Sequence, residues 1–375
     1  MPVRATKRGE ERTPLERDWD VVICGASFAG LAVARELAGV EARVLVLDRY
    51  EIGERQTSAC GIPTCWLEAL GLEESLQQTF DEIVVHTPHG TTRWPLPWSF
   101  STFDYRKLCD LLWADCDAIF ETAKVDGRTD ALVHTDRGDV SAPLIVDALG
   151  WRRVLGSGAN VQPPEARLSR GLEVHPNGRG DELELWLDRS YIRAGYSWSF
   201  PADEEMRVGV GSFDPRDHVK EPTVRLARDL DVDAVRYQGN WIPHQLRPAV
   251  GDGVFFVGDS AGHCIPTTAE GIRTALYFGV ACGRELRAVL AGERSRADAL
   301  RRYGDFSDAH AWKFDWMLRV QRLVPRVPPR LLHALLRFLA RPRVTAWAFS
   351  HYLRIAPPEL VSAPAGKPSK LAAAA

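Results

Sequence analysis

Asp20-Val-Val-Ile-Cys-Gly25-Ala-Ser27-Phe-Ala-Gly30-Leu-Ala-Val-Ala-Arg-Glu-Leu-Ala38 decides how this chain begins to fold. Val21 to Cys24 form a short apolar, β-branched run that stops at a glycine, and Leu31, Ala34, Leu37 and Ala38 then recur at helical spacing. The order is strand, tight turn, helix. A second apolar run, Arg43 to Leu47, ends in Asp48 and completes a βαβ unit of the dinucleotide-binding kind, about 30 residues long. Gly25-Ala-Ser27-Phe-Ala-Gly30 is a GxSxxG variant of the glycine fingerprint of that unit. Gly25 permits the turn, small Ser27 lets the backbone approach a pyrophosphate, and Gly30 allows the helix to pack closely on the strand. Asp48 stands where an acid accepts from ribose hydroxyls, with Arg49 beside it. A glycine turn that binds nothing is the competing reading, and strand, helix and acid together weigh against it.

The 375 residues, 45% hydrophobic and 26% charged, suffice for two or three domains with real cores. With 47 basic against 50 acidic residues the net charge is only -3, which argues against a whole-chain nucleic-acid binder. Seven cysteines without a CxxC pair argue against a disulfide framework or a zinc cage, and no metal site is expected. The first eighteen residues are polar and no later stretch has the uncharged apolar length of a membrane span, so a cytoplasmic location is expected. The closing Lys-Leu-Ala-Ala-Ala-Ala reads as a vector scar on a disordered tail over 361–375.

Further along, a loop rich in small and polar residues runs from Gly53 to Thr64, and 103–116 reads as a helix. Alternating β-branched runs follow to Gly150, and three strand-like runs at close spacing fill 181–213. Another apolar strand from Val254 enters a small-residue loop and a long helix over about 270–291, after which the pattern is helical and broken at Pro325, Pro328, Pro329 and Pro342. The fold class expected is α/β, with a Rossmann-like domain over 18–83, 101–157 and 240–300. An antiparallel-sheet (α+β) substrate domain is expected over 84–100 and 158–239, and a C-terminal helical region over 301–360.

The second motif is Gly258-Asp259-Ser-Ala261-Gly262-His-Cys-Ile-Pro266-Thr-Thr-Ala-Glu270-Gly271-Ile272-Arg-Thr-Ala275. A strand delivers Asp259 to a sheet edge, where its carboxylate can accept from a polyol, and the next helix points its N-terminal dipole at whatever lies beyond Pro266. A flavin meets both demands. Its ribityl chain offers hydroxyls to Asp259, and its N1/C2=O edge suits the backbone N–H groups of about 267–272, Gly271 and Ile272 included. The three features together resemble the FAD flavoproteins of the para-hydroxybenzoate hydroxylase fold.

Within that group, Tyr196-Ser-Trp198-Ser-Phe200-Pro201, followed by Arg207-Val-Gly209-Val-Gly211, is similar to the YxWxFP signature and trailing VGxG of the geranylgeranyl reductase family. Cys60-Gly61 matches the start of that family's CGG segment, although Ile62 and Pro63 replace the glycines that follow and make the loop bulkier and stiffer. The Arg106 helix, Tyr105-Arg106-Lys-Leu108 to Leu112, is similar to the family's RxxLxxxL helix, and the resemblance puts Arg106 near the FAD. Asp147-Ala148-Leu-Gly150 resembles the DAxG turn that closes over the cofactor. A surface cation and a turn cap are the plain alternatives for these two residues.

The resemblance also nominates catalytic residues. Cys60 is either a small buried residue or a thiol near the flavin that gives a proton or forms an adduct. Tyr196, Trp198 and Phe200 share one strand face and are either core or an aromatic wall over an apolar substrate slot, with the Tyr196 hydroxyl as a polar handle. His263 and Cys264 lack metal-ligand spacing. Residues 312–355 carry nine basic side chains against the single acid Asp315, interleaved with Trp312, Trp316, Trp347, leucines and Phe338. That segment is a helical cap with a solvated arginine face or, on the sharper reading, a peripheral contact with an anionic membrane.

The function so implied is FAD-dependent reduction of carbon–carbon double bonds in an isoprenoid or similar apolar lipid, by hydride from reduced flavin N5. The alternative is an FAD monooxygenase acting on a small aromatic or natural-product intermediate. Halogenation is disfavoured because no lysine lies between Lys7 and Lys107. A flavin-binding module without turnover is a third reading. No second glycine fingerprint is present for a nicotinamide, so the external reductant is left open between NAD(P)H, a ferredoxin as partner protein, and reduced flavin.

Overall fold

A computed structural model describes residues 13–56, 58–157 and 168–362; of the tail expected over 361–375, residues 363–375 with the scar lie outside the described residues, whereas Val361 is buried in the core and so is not part of a disordered tail. The strands are β1 (Val21–Cys24), β2 (Val44–Asp48), β3 (Gly61–Pro63), β4 (Leu76–Thr87), β5 (Gly90–Phe103), β6 (Ile119–Thr122), β7 (Val125–Thr129), β8 (Leu132–Thr135) and β9 (Gly138–Ser141). They continue with β10 (Leu144–Asp147), β11 (Leu168–Val174), β12 (Leu183–Trp186), β13 (Gly195–Ala202), β14 (Glu205–Ser212), β15 (Gln238–Pro243), β16 (Val250–Gly251) and β17 (Val254–Phe256). The helices are α1 (Phe28–Glu36), α2 (Thr64–Leu70), α3 (Tyr105–Ala114), α4 (Val154–Ser157), α5 (Lys220–Asp229), α6 (Ile272–Leu290), α7 (Arg296–Asp308), α8 (Ala311–Leu323), α9 (Pro329–Leu339) and α10 (Pro342–Leu353).

One sheet runs β16-β17-β10-β1-β2-β6 and is parallel apart from the β16–β17 pair. Every residue of β1 is buried, as expected of a central parallel strand covered on both faces. The second sheet runs β15-β11-β14-β13-β12-β4-β5-β3 and is antiparallel except where β12 meets β4. Its far face is closed by α5, whose Leu226 packs with Val174, Val208 and Val210 of the sheet. A third, small sheet joins β7, β8 and β9.

The α/β architecture expected from the sequence is therefore present, with the helical segment at its C-terminal end. Pro329 and Pro342 begin α9 and α10 rather than break them, because a proline at the first helical position loses no hydrogen bond. The expected boundary between 83 and 84 falls inside β4. That strand and β5 form a long hairpin, so residues 61–63 and 76–83 belong to the larger sheet.

Candidate functional site

The two large sheets enclose a cavity of about 650 Å³. One end is built by the β1–α1 turn and the tip of β2, with Ala26, Ser27, Asp48, Arg49 and Tyr50 on its wall. Gly25 sits behind them at φ +112°, and a Cβ there would lie 2.3 Å from the carbonyl oxygen of Ala148, so the turn and the end of β10 can meet only through a glycine. Ser27 caps α1 without using its side chain, whose Oγ shares a 3.1 Å hydrogen bond with the Tyr105 hydroxyl. The first-turn N–H groups of α1 are left to an anion. Asp48 accepts from the N–H groups of Ala26 at 2.9 Å and Tyr50 at 3.1 Å, so its carboxylate braces the turn while lining the cavity.

In the middle, Gly258, Asp259, Gly271 and Ile272 line the cavity, whereas Gly30 and Pro266 lie behind its wall. The Asp259 side chain has no hydrogen-bond donor among the described residues. Burial pushes its carboxyl up to about 6, with Arg247 pulling the other way. A carboxylate facing a cavity with no donor from the chain is the complement of a polyol. The loop before α6 holds Thr267 and Ala269 at φ 72° and 54°, the left-handed region, and is pinned at both sides. Arg273, fully buried, donates to Glu270 at 2.7 and 2.8 Å, and the Tyr352 hydroxyl of α10 donates to Glu270 as well. These features fit FAD: a pyrophosphate at the α1 terminus, a ribityl chain at Asp259, and a flavin edge at the 267–272 loop.

The other end is apolar. Trp94, Trp98 and Phe100 of β5, Trp198 and Phe200 of β13, and Phe349 of α10 contribute to its wall. Period-two alternation turns Tyr196, Trp198 and Phe200 toward this space and buries Ser197 and Ser199 on the opposite face. Trp198 lies against the bare backbone of β14, where a Cβ on Gly209 would come within 2.2 Å of the indole. Its Nε1 donates to Glu173 at 3.2 Å. The Tyr196 hydroxyl donates at 2.6 Å to the Thr268 carbonyl, and its acidity is suppressed by burial first, then by Cys264 and Glu270.

Besides Gly25, Gly30 and Pro266, three further nominated residues do not reach the cavity. Cys60 adopts φ 52°, which turns Sγ back to the Ser58 carbonyl at 3.2 Å; the residue is fully buried, and Ala59 and Gly61 line the cavity on either side of it. Burial pushes its thiol well up. Arg106 is exposed on the outer side of α3, because the helix presents Tyr105 inward instead. Asp147 is buried beneath the wall and accepts from Leu149 N, Leu155 N and Ser260 Oγ, bracing the turn that carries Ala148 and Gly150 to the cavity.

Sequence reading missed Trp94 and Trp98, the α10 side chains, and the polar row Glu173, His175, Glu205 and Arg207. Arg207 is buried and donates to the carbonyls of Ala59, Cys60 and Phe103, fixing the loop that would face a flavin. The motif Arg-Val-Gly-Val-Gly contained it, but its partners lie more than a hundred residues upstream.

No family model matches the chain. It is 27% identical over 335 residues to digeranylgeranylglycerophospholipid reductase 3 of Methanosphaera stadtmanae, covering 79% of this chain and 84% of the relative. To digeranylgeranylglycerophospholipid reductase 2 of Methanopyrus kandleri it is 25% identical over 363 residues, 86% and 91% of the two chains. The chain is thus similar along most of its length to the digeranylgeranylglycerophospholipid reductases. A geranylgeranyl bacteriochlorophyll reductase-like protein of Thermoplasma acidophilum shares the fold, at TM-score 0.78 and 17% identity over 92% of this chain and 98% of the other. The FAD-dependent chondrochloren halogenase CndH shares it less closely, at TM-score 0.65 and 15% identity over 92% and 95%. Among the described residues, no helix is long and apolar enough to cross a membrane.

Proposed function

We propose that this protein reduces carbon–carbon double bonds of an isoprenoid chain on a lipid. The observation that carries the reading is the continuity of the cavity: an FAD-shaped polar end opens directly into a slot walled by Trp94, Trp98, Phe100, Trp198, Phe200 and Phe349. The relatives named above are reductases of geranylgeranyl lipids, which supports the same substrate class.

When bound, FAD supplies hydride from its reduced N5. The chain holds and orients it. Ser27 and the α1 N-terminus receive the pyrophosphate, Asp48 and Arg49 flank the adenosine ribose, and Asp259 accepts from the ribityl hydroxyls. The 267–272 loop and the α6 N-terminus favour negative charge at the flavin edge. Trp198 and Phe200 lay an alkene against that site and keep water out, while Tyr196 locks the loop to β13. Anaerobic addition of a geranylgeranyl lipid to the dithionite-reduced protein tests the reading: the flavin spectrum should return to the oxidised form as double bonds disappear. Reduced flavin that stays reduced would defeat it.

The lipid is met at a bilayer surface. Trp312, Trp316 and Leu323 on α8, and Leu331, Leu335 and Phe338 on α9, form exposed apolar stripes, Trp312 at 69% and Trp316 at 60% exposure. Arginines surround them, which suits anionic headgroups. Helices α9 and α10 also roof the apolar slot, since Trp94 Nε1 donates to the Leu336 carbonyl and Phe349 packs on Trp94 and Trp98. Co-sedimentation with vesicles containing phosphatidylglycerol, lost on Trp312→Ser with Trp316→Ser, is the expected result. Equal binding by the double variant would contradict this docking face.

A further inference from the structure

Strand pairing lines up a row of charged residues beside the aromatic wall. Glu173 on β11 opposes Gly209 on β14, which opposes Trp198 on β13. His175, two residues beyond Glu173, and Arg207 and Glu205, before Gly209, follow on the same face by period two. His175 is buried, with Nε2 3.0 Å from Glu173 Oε1 and Nδ1 3.0 Å from Glu205 Oε1. With ionised carboxylates, which only accept, at both ring nitrogens, both nitrogens donate and the geometry suits an imidazolium at His175. Burial alone would lower its pKa; the two carboxylates outweigh that and raise it. The other groups facing the row are Arg207, whose Nε is 3.2 Å from Glu205, and Arg236, 3.7 Å from Glu205. Glu205 is the outer end, with its side chain 27% exposed. Glu173 is the inner end and lines the cavity.

Saturating an alkene takes a proton as well as a hydride, and the other acids of the cavity wall are engaged elsewhere. Asp48 braces the β1–α1 turn, Glu51 stands at the nucleotide end with Tyr50, Asp259 faces the polyol position, and Glu270 is held by Arg273 and Tyr352. Cys60 is off the wall. We propose that Glu173 delivers the proton of the reduction and that His175, held between Glu173 and Glu205, stores it. This rests on the reductase reading. The π bond breaks as one carbon takes hydride, with both electrons of that new C–H bond, from the reduced cofactor. The other carbon takes the proton from Glu173, which draws the Nε2 proton of His175. The cofactor ends oxidised, Glu173 ends ionised as it began, and His175 ends neutral, keeping its Nδ1 proton and donating it to Glu205. Water reaching Glu173 after product leaves restores the lost proton. Glu173 is the catalytic residue; His175 and Glu205 are positioning residues.

Nitrogen-15 NMR of histidine-labelled protein without flavin reads the store directly. His175 should show two protonated ring nitrogens at neutral pH in the wild type, and Glu205→Gln should lower its titration. A neutral His175 in the wild type overturns the proposal. With flavin loaded, Glu173→Gln keeps an oxygen for Trp198, so folding and flavin affinity should hold while kcat for alkene saturation falls about 100-fold or more and KM stays put. Glu173→Asp should recover part of the rate, and Glu205→Gln should move the loss of kcat with rising pH to lower pH. Glu173→Gln turning over at the wild-type rate overturns the donor alone. A wild type that leaves prenyl alkenes untouched overturns the reductase reading and the donor with it.

Discussion

Two glycines on one strand give a matched test of the aromatic wall. Gly209 and Gly211 both lie on β14 beneath Trp198, and neither has the positive φ that would forbid alanine. A Cβ on Gly209 would sit 2.2 Å from Trp198 Cζ2 and 2.8 Å from Glu173 Cβ; on Gly211 the nearest indole atom is 3.4 Å away. Gly211→Ala therefore makes ordinary contact, whereas Gly209→Ala forces the indole off its bed. Overpacking of this kind costs ~1–3 kcal/mol. Displacing the ring also strains the 3.2 Å bond from Nε1 to Glu173, a buried hydrogen bond to a charged group worth ~1–3 kcal/mol. The entropic gain of glycine to alanine in the unfolded chain, ~0.4–1 kcal/mol, is common to both variants and cancels. Gly209→Ala should thus be less stable than Gly211→Ala by ~2–4 kcal/mol, enough to lower the midpoint of thermal unfolding by ~2–5 °C in a chain of 375 residues. Calorimetry of the two variants, with flavin titration to confirm an intact polar end, measures the difference. Equal midpoints would refute the packing described for Trp198.

Asp259→Asn should leave folded protein that loses flavin on desalting; retention of the full flavin complement would remove Asp259 from the ribityl site. Burial pushes the Asp259 carboxyl up to about 6, and its ionised form accepts more strongly from hydroxyls, so flavin affinity should weaken as pH falls below about that value, measurable by fluorescence titration between acid and neutral pH. Cys60→Ser should keep near wild-type turnover, since the thiol points to the Ser58 carbonyl and serine can make the same bond; loss of turnover with flavin retained would return Cys60 to the chemistry. Tyr352→Phe removes the donor that ties α10 to Glu270, and should raise KM for the lipid more than it lowers kcat.

What the sequence disclosed was local. The β1–α1 turn, the Asp259 segment and the alternation of Tyr196, Trp198 and Phe200 each declare themselves within a dozen residues, and the structure puts their cavity-facing members where spacing and period require. Cys60 was illegible because one left-handed φ reverses the direction of its side chain, and nothing in Ala-Cys-Gly announces it. Arg106 misled because one helix position separates it from Tyr105, which faces inward. Glu173 and His175 alternate with Leu172 and Val174, a pattern that reads as a solvated strand face. Their meaning depends on β14 and on the other sheet, both remote in sequence, and on α5 covering the far side. β4 and β5 carry so many polar residues that the 76–83 portion of their hairpin, and β3 at 61–63 that pairs with β5, looked like part of the first domain.

The central claim is that hydride and a lipid alkene meet in one cavity, and the mass of the product tests it most directly. Reduced, FAD-loaded protein incubated in air-saturated buffer with a geranylgeranyl lipid should yield product heavier by two hydrogens for each double bond lost, with no oxygen incorporated. A product that has gained an oxygen atom, or an unchanged lipid while the flavin consumes oxygen, would contradict the reductase account and favour a monooxygenase.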